Sequence, residues 1–355
     1  MTEKLRVGIL GAGWAAESHA TAYAQLPNVE VTALWSRTRA RAEALAGRLQ
    51  QSGLRVYDDW QELIEQSGVD VISIATPPML RREPVVMALA RGCHVLVEKP
   101  ISVGVAEAQA IVNAAQAAQT VTATCFNWRY APAYQVAWRA VREGQIGSLR
   151  DVRSEWRFRA TTSDFFAAKP WTARMDISNG GLGEGLSHDF DKARFLTGTE
   201  FTRIVSRITP MTIKQDGDYL LDGGRSTHLV ELTNGILGSF YLTVTAGENE
   251  WRLTLIGDEG SLVIPDGGRT VTRQRYDDEQ PVVLAISEMD RLVGDNLIQH
   301  TWNRLISDFV QAIRRGDVAH SSVPHLPTLT DGLRSEEIVA AARLSDAEDR
   351  WVEID

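Results

Sequence analysis

The chain has 355 residues, a formal net charge of −9 and 44% hydrophobic residues. Single cores stop growing near roughly 250–300 residues, so this length predicts two domains. The acidic balance excludes non-specific nucleic-acid binding as an expectation, and no unbroken apolar run is long enough to span a bilayer, so no membrane role is expected.

Leu5–Leu10 reads as a strand that passes through Gly11-Ala12-Gly13 into a helix over Trp14–Gln25. Strand and helix patterns then alternate: strand Glu30–Trp35, helix Thr38–Gln50, a short helix Asp59–Glu65, strand Asp70–Ala75, helix Arg81–Ala90, strand His94–Val97, helix Ala106–Ala118 and strand Val121–Cys125. This alternation predicts a parallel sheet with helices on both faces, a Rossmann-type doubly wound α/β domain. The N-terminal apolar stretch is its first strand, interrupted by glycines, and carries no cleavable signal pattern. The pattern changes after Phe126. A helix over Tyr130–Arg142 precedes period-two runs at Asp151–Arg159, Arg203–Pro210, Thr227–Leu232, Gly238–Thr245 and Trp251–Ile256. Residues 161–179 read as a loop. Helices are expected near Leu186–Leu196, Thr301–Arg314 and Gly332–Leu344. The second half is thus expected to be an α+β domain with one large, mostly antiparallel sheet, and the domains to span residues 1–126 and 127–355. The two cysteines, Cys93 and Cys125, lie in or near expected strands. Packing is their expected role, with no disulfide, no metal site and a reducing, cytoplasmic setting.

The first helix start predicts anion binding. Gly11 lets the chain turn out of the strand, Gly13 lets a pyrophosphate approach the backbone, and the small Ala16 lets the helix sit close to the sheet. The free amides of Trp14, Ala15 and Ala16 and the helix dipole favour the phosphate. An NAD site places a carboxylate at the end of the second strand; here no acid lies between Val31 and Ala42. Ser36, Arg37 and Arg39 stand there instead, which suits a 2′-phosphate and favours NADP over NAD. Arg41 reads as part of a solvated helix start. Thr76-Pro77-Pro78 and Glu98-Lys99-Pro100 follow two strands at their carboxyl ends, the edge where open α/β sheets bind ligands. The prolines stiffen the loop over the cofactor, with Thr76, Pro77 and Glu98 at its edge. Lys99 is placed to donate to a substrate hydroxyl and to stabilise developing alkoxide charge. Glu184 and His188 are four apart and share a face if their helix starts early enough; a carboxylate there raises the imidazole's basicity and orients it.

These residues resemble the Gfo/Idh/MocA oxidoreductases (glucose–fructose oxidoreductase, inositol dehydrogenase and relatives). The resemblance rests on VGILGAGWAAESHA, ATPP at 75–78, GCHVLVEKP at 92–100, FNWRYAPA at 126–133, GQIGSLRDV at 144–152, SHDFDKARFLTG at 187–198, NGILGS at 234–239 and LIGDEGSL at 255–262. It implies a nicotinamide cofactor, a sugar or polyol-like substrate, and a homodimer or homotetramer built through the C-terminal sheet. The family's catalytic lysine falls on Lys99 and its histidine on His188. Its usual aspartate is Glu184 here, the glycine two positions before the histidine is Leu186, and the histidine after the Thr-Pro motif is Arg81. Arg81 has two readings, a contact for an acidic or phosphorylated substrate and a solvated helix start. Lys99, Asn127, Trp128, Arg129, Trp171, Glu184 and His188 are the expected substrate-binding residues, with Trp156 a further aromatic candidate; Lys99, His188 and Glu184 are the expected catalytic set. Two other functions fit the same sequence features: a trans-dihydrodiol dehydrogenase and a non-catalytic dinucleotide sensor.

Overall fold

A computed structural model describes residues 4–51, 53–159, 170–215, 217–320 and 322–354. The chain forms two compact units. One holds Met1–Asn127 and Ile298–Leu333, the other Trp128–Leu297 and Arg334–Asp355.

The first unit runs β1 (Leu5–Leu10), α1 (Trp14–Ala24), β2 (Val29–Trp35), α2 (Arg39–Leu49), β3 (Arg55–Tyr57), α3 (Trp60–Gln66), β4 (Val71–Ile74), α4 (Arg82–Ala90), β5 (His94–Val97), α5 (Val105–Ala117) and β6 (Thr122–Thr124). The strands pair in parallel in the order β3-β2-β1-β4-β5-β6. This is the doubly wound sheet expected from the strand–helix alternation, with β3 as an addition. Its three residues are too few to show a period. Parallel strands covered on both faces must be apolar throughout, and the last four residues of β1 and all of β4 are buried. Because every strand runs the same way, all strand exits lie at one edge of the sheet.

The second unit begins with a 3-10 turn that spans the division, Asn127–Tyr130, and α6 (Pro132–Arg142). Pro132 opens that helix, where its missing N–H costs nothing. Then follow β7 (Leu149–Arg159), a 3-10 turn Pro170–Ala173, α7 (Met175–Ser178), a π turn Leu182–Leu186, α8 (Ser187–Thr197), β8 (Phe201–Gln215), β9 (Gly217–Leu232), β10 (Leu237–Thr243), β11 (Thr245–Gly257), β12 (Gly260–Ile264), β13 (Thr272–Arg275) and β14 (Val282–Val283). Two long helices, α9 (Leu297–Arg315) and α10 (Leu329–Glu348), and β15 (Val352–Glu353) complete the chain. Nine strands form one sheet, β14-β13-β12-β11-β7-β10-β9-β8-β15, antiparallel except for β7 beside β10. The inward residues Val152, Val230, Phe240, Leu242 and Leu253 alternate with outward ones and pack against Phe190, Leu186 and Tyr134.

Two expectations change. Residues 161–169 lie outside the described residues, but 170–178 contain a 3-10 turn and a short helix instead of the expected loop; Ser178 Oγ donates to the Thr172 and Arg174 carbonyls and ties them together. Residues 298–333, assigned to the second domain from the sequence, pack with the first unit. Their anchors are Gln299 to the Ser18 carbonyl, Trp302 to Glu98, Thr124 to the Thr328 carbonyl, and Leu329 and Leu333 in the sheet's core.

Candidate active site

At the strand-exit edge of the first unit, Gly11 has φ +128°, and a Cβ there would lie 2.7 Å from the Ala75 carbonyl oxygen. Only glycine permits that turn and that close approach. Gly13 is extended, caps α1 without any side-chain hydrogen bond, and faces open space. The amides of the first turn therefore point at a space that an anion fits. Ala16 is fully buried, as a helix close to its sheet requires. Trp14 is half exposed, its ring edge-on to Trp302 at 4.7 Å. At the exit of β4, Thr76 is buried, and its Oγ1 has no hydrogen-bond partner among the described residues. An uncapped helix start, an open glycine and a buried hydroxyl in need of a partner together fit a dinucleotide. Pro77 follows Thr76 at the same edge.

At the exit of β2, Ser36 Oγ accepts from the Thr38 amide at 3.4 Å. Arg39 is drawn to Glu43 at 2.8 Å and Asp58 at 2.5 Å. Arg37 is exposed and makes no ion pair among the described residues. Of the two arginines expected to meet a 2′-phosphate, only Arg37 is uncommitted.

At the exit of β5, Glu98 is buried, and its carboxylate accepts from His19 Nε2 (3.1 Å), Trp302 Nε1 (3.1 Å) and the Lys99 amide (3.1 Å). Burial pushes its pKa up, but the His19 hydrogen bond and the charges of His19, Arg81 and Lys99 outweigh it and hold the pKa down at about 2. Cys125 Sγ also accepts from Trp302 Nε1, at 3.1 Å. His19, Glu98 and Cys125 are the one group of metal-ligand types that converges among the described residues, and N–H donors already surround its carboxylate. His19 and Trp302 carry no sequence signal of this role: one is a buried helix residue, and the other lies 204 positions from Glu98. Lys99 is partly exposed and precedes a cis proline.

In the second unit, His188 is buried on the first turn of α8, and Glu184 lies in the preceding π turn, partly exposed. The helix starts early enough for the two to lie one turn apart. A Cβ at Gly185 would fall 2.5 Å from the Trp156 ring, so the glycine run lets this turn press against an aromatic layer. Trp156 stacks on Trp251 at 4.9 Å, Trp251 meets Trp128 edge-on at 4.4 Å, and Trp128 meets the His188 ring edge-on at 6.5 Å. Beneath it, Asp189 Oδ1 accepts from Lys192 (2.6 Å), Ser154 Oγ (2.9 Å) and Trp251 Nε1 (3.0 Å). Lys192 is fully buried 3.9 Å from the Trp251 ring centroid, and burial lowers its pKa. Trp251 and Lys192 escape sequence reasoning because their positions read as ordinary strand and helix residues.

Two expected substrate contacts, Arg129 and Asn127, are held by internal side-chain partners. Arg129 is buried in a bidentate pair with Asp191 (Nε–Oδ2 2.8 Å), and Asn127, in the first unit, is buried and donates to Thr301 Oγ1 at 2.6 Å. Trp171 is half-buried, and its carbonyl accepts from the Arg174 amide.

Residues 5–125 match the model described as an oxidoreductase family with an NAD-binding Rossmann fold, and residues 134–263 match the GFO/IDH/MocA C-terminal domain. The chain belongs to the GFO/IDH/MocA oxidoreductase family. Among its relatives, levoglucosan dehydrogenase of Pseudarthrobacter phenanthrenivorans is 28% identical over 99% of this chain and 98% of that one. The scyllo-inositol 2-dehydrogenase (NAD(+)) of Bacillus subtilis is 26% identical over 74% of this chain and 75% of that one. A levoglucosan dehydrogenase in complex with NADH and L-sorbose has the same fold, with a TM-score of 0.87 at 23% identity over 99% of both chains.

Two of the chain's departures from the GFO/IDH/MocA pattern, Leu186 and Arg81, are accounted for by the structure. Leu186 is fully buried in the second unit's core, so the extra side chain fills space there. Arg81 contradicts both of its expected readings. It is only 3% exposed, so it is no solvated helix start, and its guanidinium is bound to main-chain carbonyls, not held out for an acidic substrate. Among the described residues, no helix is long and apolar enough to cross a membrane.

Proposed function

We propose that this oxidoreductase transfers a hydride between a nicotinamide dinucleotide and a hydroxyl-bearing carbon of a sugar, polyol or sugar derivative, with NADP(H) preferred. The observation that carries the reading is the uncapped start of α1 and the partly exposed Lys99 at the same edge of one sheet. The bound nicotinamide supplies the hydride acceptor or donor. In the oxidative direction His188 takes the hydroxyl proton, while Lys99 hydrogen-bonds the same oxygen and stabilises its charge. Glu184 orients His188 or binds a neighbouring hydroxyl. Trp128, edge-on to His188, offers an indole face to the C–H surface of a sugar ring. The substrate class is supported by the relatives, levoglucosan and scyllo-inositol dehydrogenases; neither the dihydrodiol nor the sensor reading has such support. Both cysteines are free and buried, which agrees with a reducing setting.

The Bacillus subtilis relative is an NAD(+) enzyme by name, and the solved levoglucosan dehydrogenase holds NADH. The preference for NADP(H) rests on the β2 exit of this chain, where Arg37 is uncommitted. The test is initial-rate kinetics with NADP and NAD against anhydrosugars, inositols, keto-sugars, sugar phosphates and a dihydrodiol. Turnover of a sugar or polyol is expected, with higher kcat/KM for NADP. Arg37→Asp should reduce the NADP/NAD ratio by about 10–100-fold, the scale of a charged hydrogen bond. Wild-type preference for NAD removes the 2′-phosphate assignment, and turnover of the dihydrodiol alone removes the substrate class.

The same reading includes self-association through the outer face of the nine-stranded sheet. Leu229 and Leu237 lie on that face in β9 and β10, each about half exposed. The double variant Leu229→Glu/Leu237→Glu should convert an oligomer to a monomer in light scattering; an unchanged mass places the interface elsewhere.

A further inference from the structure

A guanidinium is removed from water at Arg81, and that is costly unless its N–H groups find acceptors. Nε and one terminal nitrogen donate to the Thr76 carbonyl at 2.8 and 2.5 Å. The other terminal nitrogen donates to the Glu98 carbonyl at 2.5 Å and to the Pro100 carbonyl. One side chain thus joins the loop leaving β4 to the loop leaving β5. The two carbonyls it takes from the second loop belong to the residues on either side of Lys99. The Lys99 amide is held as well, by the Glu98 carboxylate. Loops at strand exits are ordinarily the mobile part of such a sheet. Here the main chain around Lys99 is pinned from both sides.

We propose that Arg81 is a positioning residue that fixes the direction of the Lys99 ammonium by binding the carbonyls that bracket it. The inference rests on the reading of Lys99 as the group that meets the substrate oxygen. Catalysis by a positioned donor is sensitive to small displacements, and about 1 Å of misplacement costs on the order of a hundredfold. The fork of Arg81 is matched to acceptors spread over two loops. A lysine ammonium is a single point and cannot take all three.

The experiment compares Arg81→Lys, Arg81→Ala and Lys99→Ala, assayed with the best substrate of the panel above. It adds dinucleotide affinity from fluorescence titration and hydrogen exchange of peptides covering residues 96–101. Arg81→Lys is expected to lower kcat by about 10–100-fold, to leave substrate KM within a few-fold, and to speed exchange of the Lys99 amide. Ethylguanidinium added to Arg81→Ala should restore part of kcat and slow that exchange, and it should do neither for Lys99→Ala. The second substitution keeps the test decisive if one of the Arg81 variants fails to fold. The proposal is overturned if Arg81→Lys keeps wild-type kcat and exchange while Lys99→Ala is inactive. It is also overturned if the whole loss lies in dinucleotide affinity, because Arg81 then acts only through Thr76. A fully active Lys99→Ala variant is a separate failure, that of the catalytic reading itself.

Discussion

Replacing Lys99 with Ala is expected to depress turnover by at least about a hundredfold, or roughly 2.7 kcal/mol of transition-state stabilisation. The substitution removes the ammonium and leaves its mounting in place. The Glu98 carboxylate still binds the amide of residue 99, and Arg81 still binds the carbonyls on either side. The loss should therefore fall on kcat, with the melting temperature and the first-turn amides of α1 unaffected. Steady-state kinetics against the best sugar or polyol, with a thermal melt as control, decides it. Turnover within about tenfold of wild type would remove Lys99 from the chemistry.

The second large effect is on stability. Lys192→Met leaves the buried Asp189 carboxylate, among the described residues, with the neutral donors Ser154 and Trp251. Breaking a buried pair by removing one partner costs about 3–5 kcal/mol, because the remaining charge is stranded. The loss should exceed that of a cavity alone, since Lys192 also sits over the face of Trp251. Replacing both partners, Asp189→Leu with Lys192→Met, should recover much of it, because no charge is then left in the core. Urea melts of the two single variants and the double variant form the cycle. A Lys192→Met protein within about 1 kcal/mol of wild type would show that water reaches Asp189.

The parallel sheet, the glycine turn and both strand-exit motifs were legible because each depends on residues close together in sequence. Leu5–Leu10 and the glycines after it carry their own geometry, and Glu98-Lys99-Pro100 follows the apolar run Val95–Val97. What escaped was made by distant partners. Arg81 looked like a surface helix start because the carbonyls that bind it, at Glu98 and Pro100, leave no mark in the sequence. Trp302 reads as one more apolar position of an amphipathic helix until it is found on Glu98. Arg129 and Asn127 looked available for substrate because Asp191 and Thr301 are 62 and 174 positions away. Polar side chains drawn inward by each other cannot be told from polar side chains kept for a ligand by residue type alone.

The return of residues 298–333 to the first unit has a consequence for how the molecule is made. A nascent chain released up to residue 127 has its six strands but lacks Trp302 over Glu98 and Leu329 and Leu333 against the sheet. Vectorial synthesis thus completes the entire intervening stretch before the opening lobe can close. Grafting that lobe onto another scaffold calls for two segments joined by a new connection, because no single cut yields it.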